Sequence, residues 1–147
     1  MKKEDVVKQL IPGVIVGIVL GSIIGYLAGV DAQNSLKNHI GGMIACLIPC
    51  LLNCTIVVKG TAKVLKRELS VPRAFIHSLP YIIIGAVFGL FFHAVILGAL
   101  CKLDTREVSR IGMTALNMVL GVVVSTVMGF VALKSYEKDV KYTRREK

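Results

Sequence analysis

The sequence predicts an all-α membrane protein: four antiparallel transmembrane helices arranged as two glycine-rich helical hairpins, related as a parallel internal duplication. Three observations carry this reading. Of the 147 residues, 54% are hydrophobic and the mean hydropathy is +0.71, whereas soluble domains are about 45–50% apolar even when Gly is counted. The apolar residues gather into four blocks, 10–30, 39–58, 75–100 and 111–133, none of which contains Asp, Glu, Lys or Arg. Each block is close to or above the ~20 residues that a helix needs to cross a ~30 Å hydrocarbon core.

The charge lies between the blocks and predicts the topology. Of the 18 Lys and Arg, all but Lys37, Lys102, Arg106 and Arg110 fall in the N-terminal segment, the loop 59–74 or the tail 134–147. By the positive-inside rule both termini and the middle loop face the cytoplasm, as in a multi-pass protein of the plasma membrane. The net charge of +9 thus reflects topology and contact with anionic head groups, not nucleic acid. The whole chain, 1–147, reads as one four-helix domain with a basic tail, and its loops are too short to hold a soluble catalytic domain. The first block is longer than a signal-peptide core and no small-residue cleavage site follows Val30, so it is expected to be a retained span.

Span one carries Gly13, Gly17, Gly21, Gly25 and Gly29, an unbroken series at every fourth residue. On a helix this spacing makes a smooth groove that winds slowly about the axis. Such grooves let backbones approach closely, and self-association of copies through it is expected, with crossings near about −40°. Pro12 is expected near the start of this helix, where its missing N–H costs little.

The other spans carry shorter small or polar stripes. Span two has Gly42, Cys46, Cys50 and Cys54, and span three has Gly85, Gly89 and then His93. Span four has Asn117, Gly121, Ser125 and Gly129. Segment 11–21 resembles 79–89 at an offset of 68, and 42–45 resembles 112–115 at an offset of 70. Two crossings per half make this a parallel repeat.

Polar side chains are costly in hydrocarbon and often functional there. At 1.5 Å per residue, Tyr26, His93 and Asn117 lie roughly 7–9 Å to the outer side of their spans' midpoints. Asn53, Thr55, Ser125 and Thr126 lie roughly 4–10 Å to the cytoplasmic side. Tyr26, His93, Asn117, Asn53 and Ser125 are therefore the candidates to line a pore or solute site. His93 has two readings, a proton-sensitive switch or a neutral imidazole that ties helices together. Pro49, in the middle of span two, removes the bond to the Ala45 carbonyl and marks a candidate hinge.

Cys46, Cys50 and Cys54 form a ladder on one face and are weak candidates for a soft metal, since cysteine also serves as a small packing residue. No other metal site and no cofactor is expected. Catalytic signatures are absent: the chain has no intramembrane carboxylate to orient a histidine, no H-E-x-x-H and no G-x-S-x-G. Coupling to an ion gradient of the kind used by rotary-ATPase proteolipids needs a mid-membrane carboxylate, and neither span two nor span four has one.

Two function classes remain. The first is a homo-oligomeric channel or carrier for a small solute or ion. The second is a non-catalytic accessory or assembly subunit that docks on other membrane proteins.

Overall fold

Backbone N–H and C=O groups in hydrocarbon must be satisfied within the protein, and a helix does so within one segment. The computed structural model describes residues 1–28, 35–102 and 110–145. It contains α1 (Lys3–Ala28), α2 (Ser35–Val64), α3 (Val71–Lys102) and α4 (Arg110–Arg145). All four are long and apolar enough to cross a membrane, and the described residues contain no strand. Their outward surface is apolar, with Ile11, Ile15, Val19 and Ile23 exposed on α1 and Ile83, Val87, Phe91 and Val95 on α3. Such a continuous surface suits lipid, not water.

At the end that holds the N-terminus, the α2–α3 connection and the tail, here the basic end, the helices outrun the apolar blocks. Helix α1 begins at Lys3, with Glu4 and Asp5 in its first turn, where they complement the helix dipole. This corrects the placement of Pro12, which lies inside α1. The carbonyl that Pro12 leaves unpaired is that of Lys8, in the charged segment ahead of the apolar block, where water can satisfy it. Helix α4 continues about three turns past Leu133.

The helices pack as a diamond. Helices α2 and α4 each touch all three others, whereas α1 and α3 touch only α2 and α4 among the described residues. The glycine contacts give the directions. A Cβ added to Gly17 would lie 2.9 Å from Val122 Cα, and one on Gly21 would lie 2.8 Å from Met118 Cα, so α1 and α4 run antiparallel. Gly85 receives Cys50 and Gly89 receives Cys46, so α2 and α3 are antiparallel as well. Gly121 abuts Ala45 and Gly129 abuts Asn53, which makes the central α2 and α4 parallel.

The groove of α1 is therefore filled by its own chain. Gly13, Gly17 and Gly21 are buried against α2 and α4, which corrects the expectation that these positions join copies. Close backbone approach within the chain already collects the dispersion energy the groove offers. Gly25 lies in α1, but its surroundings, like all of Gly29, are outside the described residues.

Two apolar clusters stack along the centre. Cys46, Cys50, Leu120 and Val124 form one, and Cys54, Val58, Ala62, Ala74, Ile82, Ala132 and Tyr136 form the other, toward the basic end. Helix α2 ends in a Schellman motif: the Arg67 N–H donates to the Ala62 carbonyl (2.9 Å) and the Lys66 N–H to that of Lys63 (3.1 Å). The left-handed position of this cap, usually glycine, is held by Lys66 at φ 55°.

Candidate functional site

Two polar residues of the apolar blocks, Asn53 and Ser125, meet at the seam between α2 and α4. Asn53 is 0% exposed, and its Nδ2 donates to the Ser125 carbonyl at 2.7 Å. Glycines make room for this amide. A Cβ at Gly13 would overlap it, and one at Gly129 would lie 2.5 Å from its Nδ2. Ser125 Oγ donates back to the Val122 carbonyl at 3.3 Å. Thr126 Oγ1 and Asn53 Oδ1 are buried without a hydrogen-bond partner. Thr55 is not part of this group, since its hydroxyl bonds its own helix at the Leu51 carbonyl.

Two turns along α4, roughly 12 Å away, lies Asn117. It is 1% exposed, and neither its Oδ1 nor its Nδ2 has a partner. A buried polar atom without a partner costs about 1–3 kcal/mol, so this amide is retained against a substantial penalty. The backbone carbonyl oxygen of Asn117 would lie 3.0 Å from a Cβ on Gly21, so this turn of α4 packs against α1. Between the two polar levels stand Gly17, Ala45, Pro49 and Gly121. A Cβ on Gly121 would sit 3.0 Å from the Ala45 carbonyl oxygen, 3.5 Å from that of Gly17 and 3.7 Å from Pro49 Cγ.

Asn53 and Ser125 are thus brought together, and Asn117 lies buried on the same helix as Ser125 at another level. Tyr26 is 60% exposed on the outside of the bundle, whereas Asn117 faces inward. His93 belongs to α3, but its side chain lies outside the described residues. No family model, curated protein or solved structure matches this chain. The site must be read from its own chemistry.

The cysteine ladder is enclosed by α3. Cys46, Cys50 and Cys54 are free thiols with no exposure, and Gly85 and Gly89 pack directly on the first two. The described residues contain no group of three His, Cys, Asp or Glu that could hold a metal ion. The ladder's contacts are those of small packing residues.

One polar cluster was not anticipated from the sequence. Beyond the apolar part of α4, Glu137 is buried and accepts hydrogen bonds from the Met1 ammonium (2.6 Å) and from Lys134 (3.1 Å), and it pairs with Lys141 at 3.1 Å. The Met1 ammonium lowers its pKa most; burial opposes this, and Lys141 and Lys134 assist, so the carboxyl is held at about 2. The spacing of Lys134, Glu137 and Lys141, i−3 and i+4, was legible as one helix face. The closeness of the N-terminus was not.

Proposed function

We propose that the protein carries a small uncharged polar solute across the membrane along the junction of α1, α2 and α4. The observation that carries this reading is the orphaned amide of Asn117, buried in the bundle with both of its polar atoms unpaired. An amide offers a donor and an acceptor, which suit a neutral solute's hydroxyl or amide groups. The apolar blocks hold no charge with which to couple an ion. Asn53 Oδ1 and Thr126 Oγ1 supply a second unpaired level, and the hinge at Pro49 lies between the two. In this reading the packed junction is a closed state, and movement of α1 or of the outer half of α2 opens it.

Both termini would be cytoplasmic, in the plasma membrane, with the basic end meeting anionic head groups. The two hairpins would be a parallel duplication. Supporting this, Gly17 and Gly21 meet Val122 and Met118 as Gly85 and Gly89 meet Cys50 and Cys46. Copies of the chain would associate through the outer faces of α1 and α3.

The test is solute flux into proteoliposomes, followed by light scattering with urea and glycerol as probes. Wild-type vesicles should equilibrate faster than empty ones, and Asn117→Leu should return the rate to that of empty vesicles while the protein stays folded. Wild-type rates equal to those of empty vesicles would overturn the carrier reading. The accessory-subunit alternative draws on α3, where the exposed Phe92 stacks on Phe88 and meets Phe91 edge to face. Stable companions in native mass spectra of the extracted protein would favour it.

A further inference from the structure

At the basic end, α1, α2 and the start of the α2–α3 connection enclose a groove of about 530 Å³. Lys59, Lys63, Lys66 and Arg67 line it, with Glu68 as the one acidic residue. None of these four cations forms an ion pair among the described residues, whereas Lys134 and Lys141 are taken up by Glu137. Four cations without ion-pair partners, against one carboxylate, give this cavity a positive potential that attracts anions.

The groove also has an apolar part, and its order along α2 matters. Ile56 and Leu69 contribute to the lining. Leu52, Ile56, Lys59 and Lys63 follow one another at helical spacing and are all exposed, on a helix whose other faces are covered by its three neighbours. From Leu52 to Lys63 this strip runs roughly 16 Å along the helix, apolar toward the membrane centre and cationic at the basic end. Half of a hydrocarbon core is about 15 Å deep. The strip therefore matches a phospholipid lying along α2, with its acyl chain on Leu52 and Ile56 and its phosphate among the lysines. A free phosphate would have no use for the apolar half.

Lys66 supplies an independent argument. A left-handed backbone position is less favourable for a lysine than for glycine, and strain of this kind clusters at ligand sites. Here it turns a cation into the groove where glycine would make the better cap.

We propose that this groove is a binding site for one anionic phospholipid, its phosphate held by Lys59, Lys63, Lys66 and Arg67. The inference rests on the reading that the basic end meets anionic head groups, and it assigns them one specific place.

The experiment uses the purified full chain in detergent. Thermal unfolding and native mass spectrometry are followed during titration with phosphatidylglycerol, phosphatidylcholine or inorganic phosphate. Phosphatidylglycerol should raise the unfolding temperature and be retained at one copy per chain, and the other two should do neither. Lys66→Gly removes a cation while relaxing the cap, so it should fold at least as well as wild type yet bind phosphatidylglycerol about fivefold more weakly. Lys63→Gln should weaken binding similarly, and Lys138→Gln, on the tail, should leave it unchanged. Equal protection by inorganic phosphate would overturn the lipid assignment. An equal loss in Lys138→Gln would overturn the groove while leaving general head-group contact standing, and no response to phosphatidylglycerol would overturn both.

Discussion

The carbonyl oxygen of Ala45, which Pro49 cannot satisfy because it has no N–H, lies against Gly121 of the neighbouring helix. Helices α1, α2 and α4 meet at this point, since the Gly17 carbonyl faces the same glycine. The proline and the glycine are complementary: one frees a carbonyl in the middle of the bundle, and the other lets a second backbone approach it.

Gly121→Ala should therefore destabilise the protein. The added Cβ would stand 3.0 Å from the Ala45 carbonyl oxygen, a backbone atom that can move only with its helix. The expected cost is about 1–3 kcal/mol, measurable as a lower unfolding temperature in detergent.

Gly17→Ala and Gly21→Ala should each act on the isolated chain. Their Cβ atoms would press on the backbone of Val122 and Met118, respectively, again at about 1–3 kcal/mol. If the loss appears in monomeric detergent preparations and does not depend on protein concentration, the groove serves the chain's own α4. Loss only in an oligomer would contradict the packing described.

Asn53 and Asn117 should respond oppositely to leucine. Asn53→Leu removes the bond to Ser125 and forces a branched side chain between Gly13 and Gly129, at an expected cost of about 1–2 kcal/mol. Asn117→Leu removes two unpaired atoms and should leave stability unchanged or raise it by up to about 1 kcal/mol. Thermal unfolding of the two variants beside solute flux separates an amide kept for function from one kept for structure.

The Glu137 cluster predicts an acid limb of stability. The folded-state pKa lies below the ordinary value of 4.5, at about 2. The unfolded state therefore takes up protons first as pH falls. The contribution is complete above about pH 4.5 and is lost as pH drops toward 2. Glu137→Gln should lower stability at neutral pH and flatten the profile between those values, as read from unfolding temperature against pH.

Lys66→Gly should stabilise the end of α2 by about 1 kcal/mol, because glycine adopts the left-handed cap without strain. Lys66→Ala, which keeps a Cβ there, should not. Comparing the two unfolding temperatures isolates the backbone effect from the loss of charge.

Much of this architecture was present in the linear pattern. The spans follow from runs without charge, because the cost of placing Asp, Glu, Lys or Arg in hydrocarbon is a local property of each residue. The sequence also marked the small stripes, Pro49, and the two levels of Asn53 and Asn117. It placed Pro12 wrongly, because the end of a helix beyond the membrane depends on capping and neighbours, not on hydropathy. The destination of each stripe was left to tertiary packing. Periodicity names the face of a helix but not what it meets, and only the diamond arrangement showed Gly17 against Val122 and Gly85 against Cys50. It also paired Asn53 with Ser125, left Asn117 unpaired, turned Tyr26 outward and brought the N-terminus to Glu137. Those are contacts between residues distant in the chain, and no local rule specifies them.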